Sequence, residues 1–555
     1  MLPPNNVTTP VLIVGAGPVG LQTAIELGWR GIDCLIIEHG DGSNLRVHPR
    51  AAGIGPRTME FCRRWGFVDE VIDCGFPKDY ELSVVYCTGI FGHLLERHGF
   101  PSMGALPPLD FSPQNKQRCP QIWFDPILER NLRRFPVVTL RRPHSLERFE
   151  QGPDGVLATV CDIGTNTRYP VRAQYMIACD GADSPVREAL GIGIEGDPML
   201  SYSINIIFRL PGFRRIHNKG DAERYILVGP EGTWGNITVI DGRDNWRITL
   251  IGSREKQDLQ ALDAQAVVKR ALGRDDIAFE ILAVTPWRRR EQIAKRMREG
   301  RVFLAGDAVH AMSPTGGFGM NTGASDAVDI GWKLEAVLRG WGDPKLLDTY
   351  DSERREIALR NTRGAAQNFR LWLAPQDCSR ILDATPGGEA LRREVGAHLK
   401  SALNVEWDPW GIHMGYRYEN SPICVPDGTP PTPDDPKTYV PTARPGSRAP
   451  HAWMADGRST LDLFGRGFVL LRFAERDVAG LSNAARLAGV PVEVIDMRDP
   501  RIAGLYEQAL VLVRPDGHVA WRGEQIPADA VALVDTVRGA RPGNSARNSQ
   551  GLAAA

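Results

Sequence analysis

The chain has 555 residues, 42% apolar and 24% charged, with 66 basic side chains against 67 acidic ones. A net charge of -1 leaves no electrostatic footprint for nucleic acid or an anionic membrane, and no apolar run reaches the roughly 18 residues of a membrane-spanning helix. Nine cysteines without a CxxC pair read as reduced thiols rather than a disulfide framework or a metal site. The expectation is a soluble, cytoplasmic protein of about three or four structural units.

Residues 11–14 form a short apolar run that ends in Gly15-Ala16-Gly17-Pro18-Val19-Gly20. A helix is predicted over 21–29, then a second buried strand over 34–37 ending at Glu38, the βαβ start of a Rossmann-like parallel sheet. Between 192 and 286 the texture turns β-rich, and an antiparallel sheet inserted into the first domain is expected there. The α/β character returns at Val302-Phe303-Leu304-Ala305-Gly306-Asp307, followed by a glycine-rich loop and helices to about 420. Residues 421–450 hold nine prolines and read as a stiff, extended linker that crosses few core contacts. A compact unit over 451–540 has the element order of a thioredoxin-like domain, and the tail over 541–555 reads as disordered. The expected fold class is therefore α/β: a Rossmann-like domain over 1–191 and 287–420, the inserted sheet, and the thioredoxin-like domain.

Three motifs carry chemistry. In the first, Gly15 makes a tight turn, Gly17 lets a pyrophosphate reach the backbone, and Gly20 lets the helix pack against the strand. Glu38, at the end of the next strand, is placed to accept hydrogen bonds from a ribose. This reading favours a dinucleotide without choosing between FAD and NAD. The second motif is Asp180-Gly181-Ala182-Asp183-Ser184-Pro185-Val186-Arg187, which alone is explained as a capped Asp-Gly turn. The third, Gly306-Asp307 at a strand end, alone reads equally as a turn or as a ribityl-binding carboxylate.

Their joint order resembles the signature set of the FAD-dependent aromatic hydroxylases, the single-component flavoprotein monooxygenases, over most of residues 10–420. His48-Pro49-Arg50-Ala51, Arg57-Thr58-Met59-Glu60 and Tyr350-Asp351-Ser352-Glu353-Arg354-Arg355 are similar to the phenol and chlorophenol hydroxylase branch, as is the C-terminal extension. The resemblance implies FAD contacts at Gly15, Gly17, Gly20, Glu38, Gln121, Asp180 and Asp307, and at Arg46 or Arg50. It also places the loop from Pro314 through Gly319, Met320 and Asn321 beside the flavin ring. Physically, its three glycines permit close approach to a flat ligand, and the N–H groups of Met320 and Asn321 at the next helix start would face a reduced, anionic flavin.

The implied reaction is hydroxylation of a phenolic ring with NADPH or NADH and O2, through a flavin C4a-hydroperoxide; an FAD epoxidase or another flavin oxidoreductase is the alternative. No WxWxIP run of a halogenase is present, and a partner-docking protein with a structural flavin is the rival of another class. Ala52 stands where a yeast-type relative has an aspartate, so the general base is unassigned; Tyr225 is the candidate offered, and Pro314 can act only through its carbonyl. Tyr225, Trp234 and Trp246 are candidates for the pocket wall or for plain core. His310 and Trp332 read as structural, and Arg288-Arg289-Arg290 as a solvated surface. The C-terminal unit, with no cysteine after Cys424, is expected to serve structure or a homodimer rather than thiol exchange.

Overall fold

The computed structural model describes residues 7–42, 51–256, 258–373 and 377–541. Arg46 and Arg50 lie outside the described residues, as does nearly all of the tail expected to be disordered. Strand Val7–Val14 is flanked on one side by Thr167–Ala178 and on the other by Cys34–Ile37, both parallel to it. Val302–Leu304 extends the parallel sheet beyond Thr167–Ala178, and Val138–Arg141 extends it beyond Cys34–Ile37. Residues 11–14, Cys34–Ile37 and Val302–Leu304 are apolar and buried, as the inner strands of a parallel sheet are, while Val138–Arg141 at the edge is half-buried.

The register decides where the motifs go. Val14 pairs with Ala178, Ala178 with Leu304, and Val14 with Ile37. The residues just past these four strand ends are Gly15, Cys179-Asp180, Gly306-Asp307 and Glu38. Motifs up to about 290 residues apart in sequence thus meet along one carboxyl edge, where open α/β sheets bind ligands.

A second sheet of eight strands runs in the order His310–Ala311, Glu280–Ala294, Ile194–Arg209, Asn245–Leu250, Gly232–Val239, Arg224–Gly229, Val84–Cys87, Leu94–His98. This corrects the expected boundaries. Two strands come from residues 84–98, well before 192, and the long strand Glu280–Ala294 runs through position 286. The expected antiparallel character holds except where Arg224–Gly229 pairs with Val84–Cys87 in parallel.

The C-terminal unit is a βαβαββα arrangement with strand order Val492–Asp496, Phe468–Arg472, Leu510–Val513, Val519–Gly523. It is not tethered by a free linker. Val425 N–H donates to the Ala520 carbonyl at 2.7 Å, Gly446 N–H to Val519 at 2.8 Å and Ala449 N–H to Gly517 at 2.9 Å. Trp332, on helix Phe318–Leu338, shares a core with Trp341, Phe468 and Leu512, so the helix-core reading of Trp332 holds and extends across the domain seam. The proline-rich segment is extended but docked, because its free backbone donors and small apolar residues find partners on the unit it leads into. All nine cysteines are free thiols, and among the described residues no helix is long and apolar enough to cross a membrane.

Candidate active site

The turn and packing tasks of Gly15 and Gly20 are visible as geometry, and Gly17 is open. Gly15 has φ +97°, and a Cβ there would lie 2.4 Å from the Cys179 carbonyl oxygen. A Cβ on Gly20 would lie 1.9 Å from the Gly15 oxygen, so helix Pro18–Trp29 can seat on the strand only without a side chain. At Gly17 a Cβ would meet nothing within 4 Å, and the residue opens to free space at the helix N-terminus. Glu38 holds the turn: its Oε2 accepts the Ala16 N–H at 2.7 Å and its Oε1 the Gly40 N–H at 2.8 Å.

The second motif locks to the third. Ser184 Oγ accepts the Arg187 N–H at 3.0 Å, and Arg187 Nη1 donates to the carbonyls of Ala182 (3.1 Å) and Ala308 (2.9 Å). Asp180 Oδ2 accepts the Val186 N–H at 3.1 Å, while its Oδ1 is buried without a partner. Burial pushes the Asp180 carboxyl up from its usual range. Asp307 is exposed, with Oδ1 within 4.0 Å of the Cβ position of Gly319.

Behind Asp307 a buried network fixes the turn. His310 Nε2 and the Gly306 N–H both contact Asp326 Oδ2, at 2.8 and 3.1 Å, and Arg354 Nε donates to Asp326 Oδ1 at 2.9 Å. Tyr350 Oη donates to the Leu304 carbonyl at 2.8 Å. The Tyr350–Arg355 motif is therefore a brace for the Gly306-Asp307 turn, and the structural reading of His310 holds.

The glycine loop enters helix Phe318–Leu338 through Gly316 (φ +87°) and Gly317 (φ +68°), left-handed conformations that favour glycine. The Pro314 carbonyl accepts the Gly317 N–H at 3.1 Å, so this candidate catalytic group closes a turn instead. With Gly317 as the cap, the first-turn donors are Phe318, Gly319 and Met320; Asn321 falls one position beyond them. Asn321 acts as a clamp: its Oδ1 accepts from the Gly55 N–H (2.8 Å) and Thr58 Oγ1 (2.7 Å), and its Nδ2 donates to Gly317 O (2.7 Å). Phe318 points inward and packs against His413, Ala365 and Ile412. Gln121 Oε1 accepts the Ala51 N–H at 3.1 Å and its Nε2 donates to Asp125 at 3.0 Å, bridging the loop after the first strands to helix Gln121–Leu132.

Tyr225 is corrected. Its ring is fully buried between Phe213 and His217, its Oη donates to the Gly220 carbonyl at 2.8 Å, and burial drives its phenol well above 10. Such a group neither reaches a substrate nor takes its proton. Trp246 and Trp234 belong to the same core, the latter under Arg270, so all three aromatic candidates are core residues.

The opposite face of that sheet is polar. Register places Arg224, Thr238, Arg247 and Ile207 in one row, and alternation adds Asn236, Thr249, Asn205, Ser203, Ser201, Trp287 and Arg289 to the same face. Arg289 Nη1 donates to Ser313 Oγ at 2.9 Å, and Ser313 Oγ lies 2.7 Å from Thr315 Oγ1, so this face abuts the glycine loop. Glu406, 4% exposed, pairs with Arg224 at 3.3 Å and is also bonded to the Gly316 N–H. The arginine run is corrected accordingly: Arg289 is buried, while Arg288 and Arg290 turn the other way to Asp183, with Arg290 at 2.7 Å. Sequence reasoning missed Arg224, Arg247, Arg289 and Glu406; the Ser201-x-Ser203-x-Asn205 alternation was the available signal of an inward polar face.

A cavity of about 610 Å³ lies elsewhere, between helix Pro56–Trp65 and the C-terminal unit; it is lined by Trp29, Arg57, Glu60, Arg64, Phe464 and Arg466 but by no residue of the glycine turn, the Asp180 motif, the Asp307 turn or the glycine loop. The strand-end edge, with its glycine turn, its orphaned Asp180 oxygen and the free Asp307 carboxylate, is the arrangement that fits a dinucleotide cofactor.

This fold and site define a dinucleotide-cofactor protein in which a second sheet covers the glycine loop of the first. Residues 8–365 match the family model described as FAD binding domain, and residues 442–540 match Aromatic-ring hydroxylase, C-terminal. A putative polyketide hydroxylase of Streptomyces halstedii is 34% identical, with 94% of each chain aligned. Among solved structures, RebC soaked with chromopyrrolic acid and holding 7-carboxy-K252c superposes with a TM-score of 0.90 at 39% identity, covering 97% of this chain and 100% of that one. The flavin-dependent monooxygenase PieE in complex with FAD and substrate gives 0.85 at 30% identity, covering 97% and 100%. The chain belongs to the FAD-dependent aromatic-ring hydroxylases, and it is a flavoprotein monooxygenase of that family.

Proposed function

We propose that this monooxygenase hydroxylates a phenolic ring within a fused aromatic system, using O2 and NADPH or NADH. FAD, when bound, supplies the redox and oxygen-activating chemistry. The single observation that carries the reading is the convergence of the four strand ends on the glycine loop, with the polar sheet face on the loop's other side. Gly15, Gly17 and Gly20 would hold the pyrophosphate, Glu38 the adenosine ribose, and Asp180 and Asp307 the rest of the chain. The N–H groups of Phe318, Gly319 and Met320 would favour negative charge beside the loop. The polar face and Trp287 would orient the aromatic substrate and keep bulk water out.

A fused substrate, rather than a simple phenol, is favoured by the polyketide hydroxylase relative and by the ligand named in the RebC structure. The C-terminal unit serves as a structural brace, and a cytoplasmic homodimer is the assembly we infer. The test is turnover of a panel of hydroxylated polycycles under 18O2. Substrate-dependent NAD(P)H oxidation with one labelled oxygen in the product is expected; oxidation yielding only hydrogen peroxide from every substrate would refute the reading.

A further inference from the structure

The cavity of about 610 Å³ at the domain seam is set apart from the cofactor edge. Gly17 caps helix Pro18–Trp29 at that edge, and Trp29 ends the helix 12 residues later, about 18 Å away. One wall of the cavity is helix Pro56–Trp65 and the other is the C-terminal unit, with Phe61, Phe464 and Val492 supplying apolar surface. Small-molecule sites favour such domain interfaces, in cavities of roughly 300–1,000 Å³.

Trp29 gathers cations there. The Arg466 guanidinium stacks over its ring at 3.6 Å, Arg64 lies at 5.1 Å and Arg30 at 5.5 Å, and Arg466 Nη1 donates to the Trp29 carbonyl. Gly465, at φ +133°, permits that approach, because a Cβ there would lie 2.8 Å from Trp29 Cη2. Arg339 joins the group by donating to the Arg30 carbonyl at 2.8 Å. Two carboxylates serve these four cations. Glu26 takes Arg30 at 2.8 Å and Arg64 at 2.6 Å, and Glu335 takes Arg30 at 2.6 Å and Arg339 at 3.1 Å. Among the described residues no carboxylate lies within ion-pair distance of Arg466. The carboxylates that line the cavity are engaged elsewhere, Asp462 by Arg63, Glu60 by Arg57 and Asp516 by Arg514, while Glu493 is exposed.

Arg64 also has donors to spare. Its Nη2 meets Glu26, its Nη1 has only the Pro515 carbonyl at 3.4 Å, and its Nε is buried without a partner. Burial pulls this guanidinium below its usual range, opposed by Glu26 and aided by Arg30 and Arg57. Four cations on two carboxylates leave two positive charges. A phosphate monoester carries about -1.5 to -2 at pH 7, and the guanidinium fork matches its oxygens.

We propose that Arg466 and Arg64, beside Trp29, bind an aromatic phosphate monoester in the seam cavity. The phosphate lies between the two guanidinium groups, and the flat body rests on Phe464 and Val492. The site binds and does not catalyse, since it stands a helix length from the cofactor edge, and its occupant ties the first domain to the C-terminal unit. The inference goes beyond the hydroxylase reading and does not depend on it.

The experiment titrates the FAD-loaded full-length protein calorimetrically with 2-naphthyl phosphate, inorganic phosphate and 2-naphthol. Naphthyl phosphate is expected to bind one site at least about tenfold more tightly than inorganic phosphate, to leave the flavin absorbance spectrum unchanged, and to raise the melting temperature by mass action. Arg466→Gln, a change at an exposed side chain, should weaken that binding at least about tenfold, the scale of a charge-assisted hydrogen bond, with FAD content unchanged; Arg466→Lys should recover part of it. Absence of naphthyl phosphate binding, affinity no better than that of inorganic phosphate, or affinity that survives in Arg466→Gln overturns the site. So does naphthyl phosphate that 2-naphthol displaces, which would put it at the substrate face instead. The comparison of the three probes needs only the unmodified chain, so it stands even if a variant fails to fold.

Discussion

Arg514 of the C-terminal unit and Glu353 of helix Thr349–Trp372 form a two-pronged ion pair at 2.6 and 2.9 Å, with both side chains fully buried. Lys333 reaches the same carboxylate at 2.6 Å. Removing one member of such a pair strands the other, so Arg514→Met is expected to cost about 3–5 kcal/mol of stability. Burial alone would push the Glu353 carboxyl up, but Arg514 and Lys333 hold it at about 2. A depressed folded-state value means that its stabilisation is complete above about pH 4.5 and is lost as pH falls towards 2. Urea unfolding across that window should show a steeper loss in the wild type than in Arg514→Met; parallel curves would refute the assignment.

A chain cut at 444 should fare worse than an extended linker suggests. The cut removes Phe468 and Leu512 from the core they share with Trp332 and Trp341, and leaves Glu60 without Arg448, which reaches it at 3.2 Å. The 1–444 chain is expected to express insoluble, or to melt well below the full-length protein with 1-anilinonaphthalene-8-sulfonate bound to the bared face. A soluble fragment with the parent's melting temperature would show that the seam contributes little.

Local motifs were legible because their physics is local. Glycines at fixed spacing after an apolar run state a backbone need, and the chain order of Gly15, Asp180 and Asp307 was enough to infer their meeting. What the sequence did not show is set by tertiary pairing. Nothing near Val84–Cys87 says that it joins strands 140 residues away. Tyr225 illustrates the other limit: alternation separates the two faces of a strand but does not say which faces the loop, and here Arg224 took that side while Tyr225 took the core. The arginine run failed for the same reason, since a period of two sends Arg289 inward and its neighbours to Asp183. Glu406 lies outside every motif and becomes visible only through its ties to Arg224 and Gly316.

Asp307 sits where a charge-assisted bond to the cofactor is to be expected, exposed at the strand end and beside Gly319. Asp307→Ala should weaken FAD by about ten- to a hundredfold, the equivalent of roughly 1.5–3 kcal/mol. Equilibrium titration of the apoprotein, read by quenching of FAD fluorescence, checks it. Unchanged affinity would mean that the carboxylate does not touch the cofactor.

The glycine turn offers the sharpest separation between folding and binding. Gly17 has φ -69° and ψ 179°, a conformation open to any residue, and no atom lies within 4 Å of its would-be Cβ. Gly17→Val should therefore leave apoprotein stability within about 0.5 kcal/mol, as surface changes usually do. The same valine occupies the space through which a pyrophosphate would reach the helix N-terminus, so FAD affinity should fall about a hundredfold or more. Gly20→Ala is the converse: its methyl would stand 1.9 Å from the Gly15 oxygen, so the helix must lift off the strand and the apoprotein itself should lose stability. Thermal melts of both apoproteins beside their FAD titrations decide the matter. If Gly17→Val binds FAD normally, the pyrophosphate lies elsewhere; if it melts early, the open space at Gly17 is structural and not a ligand approach.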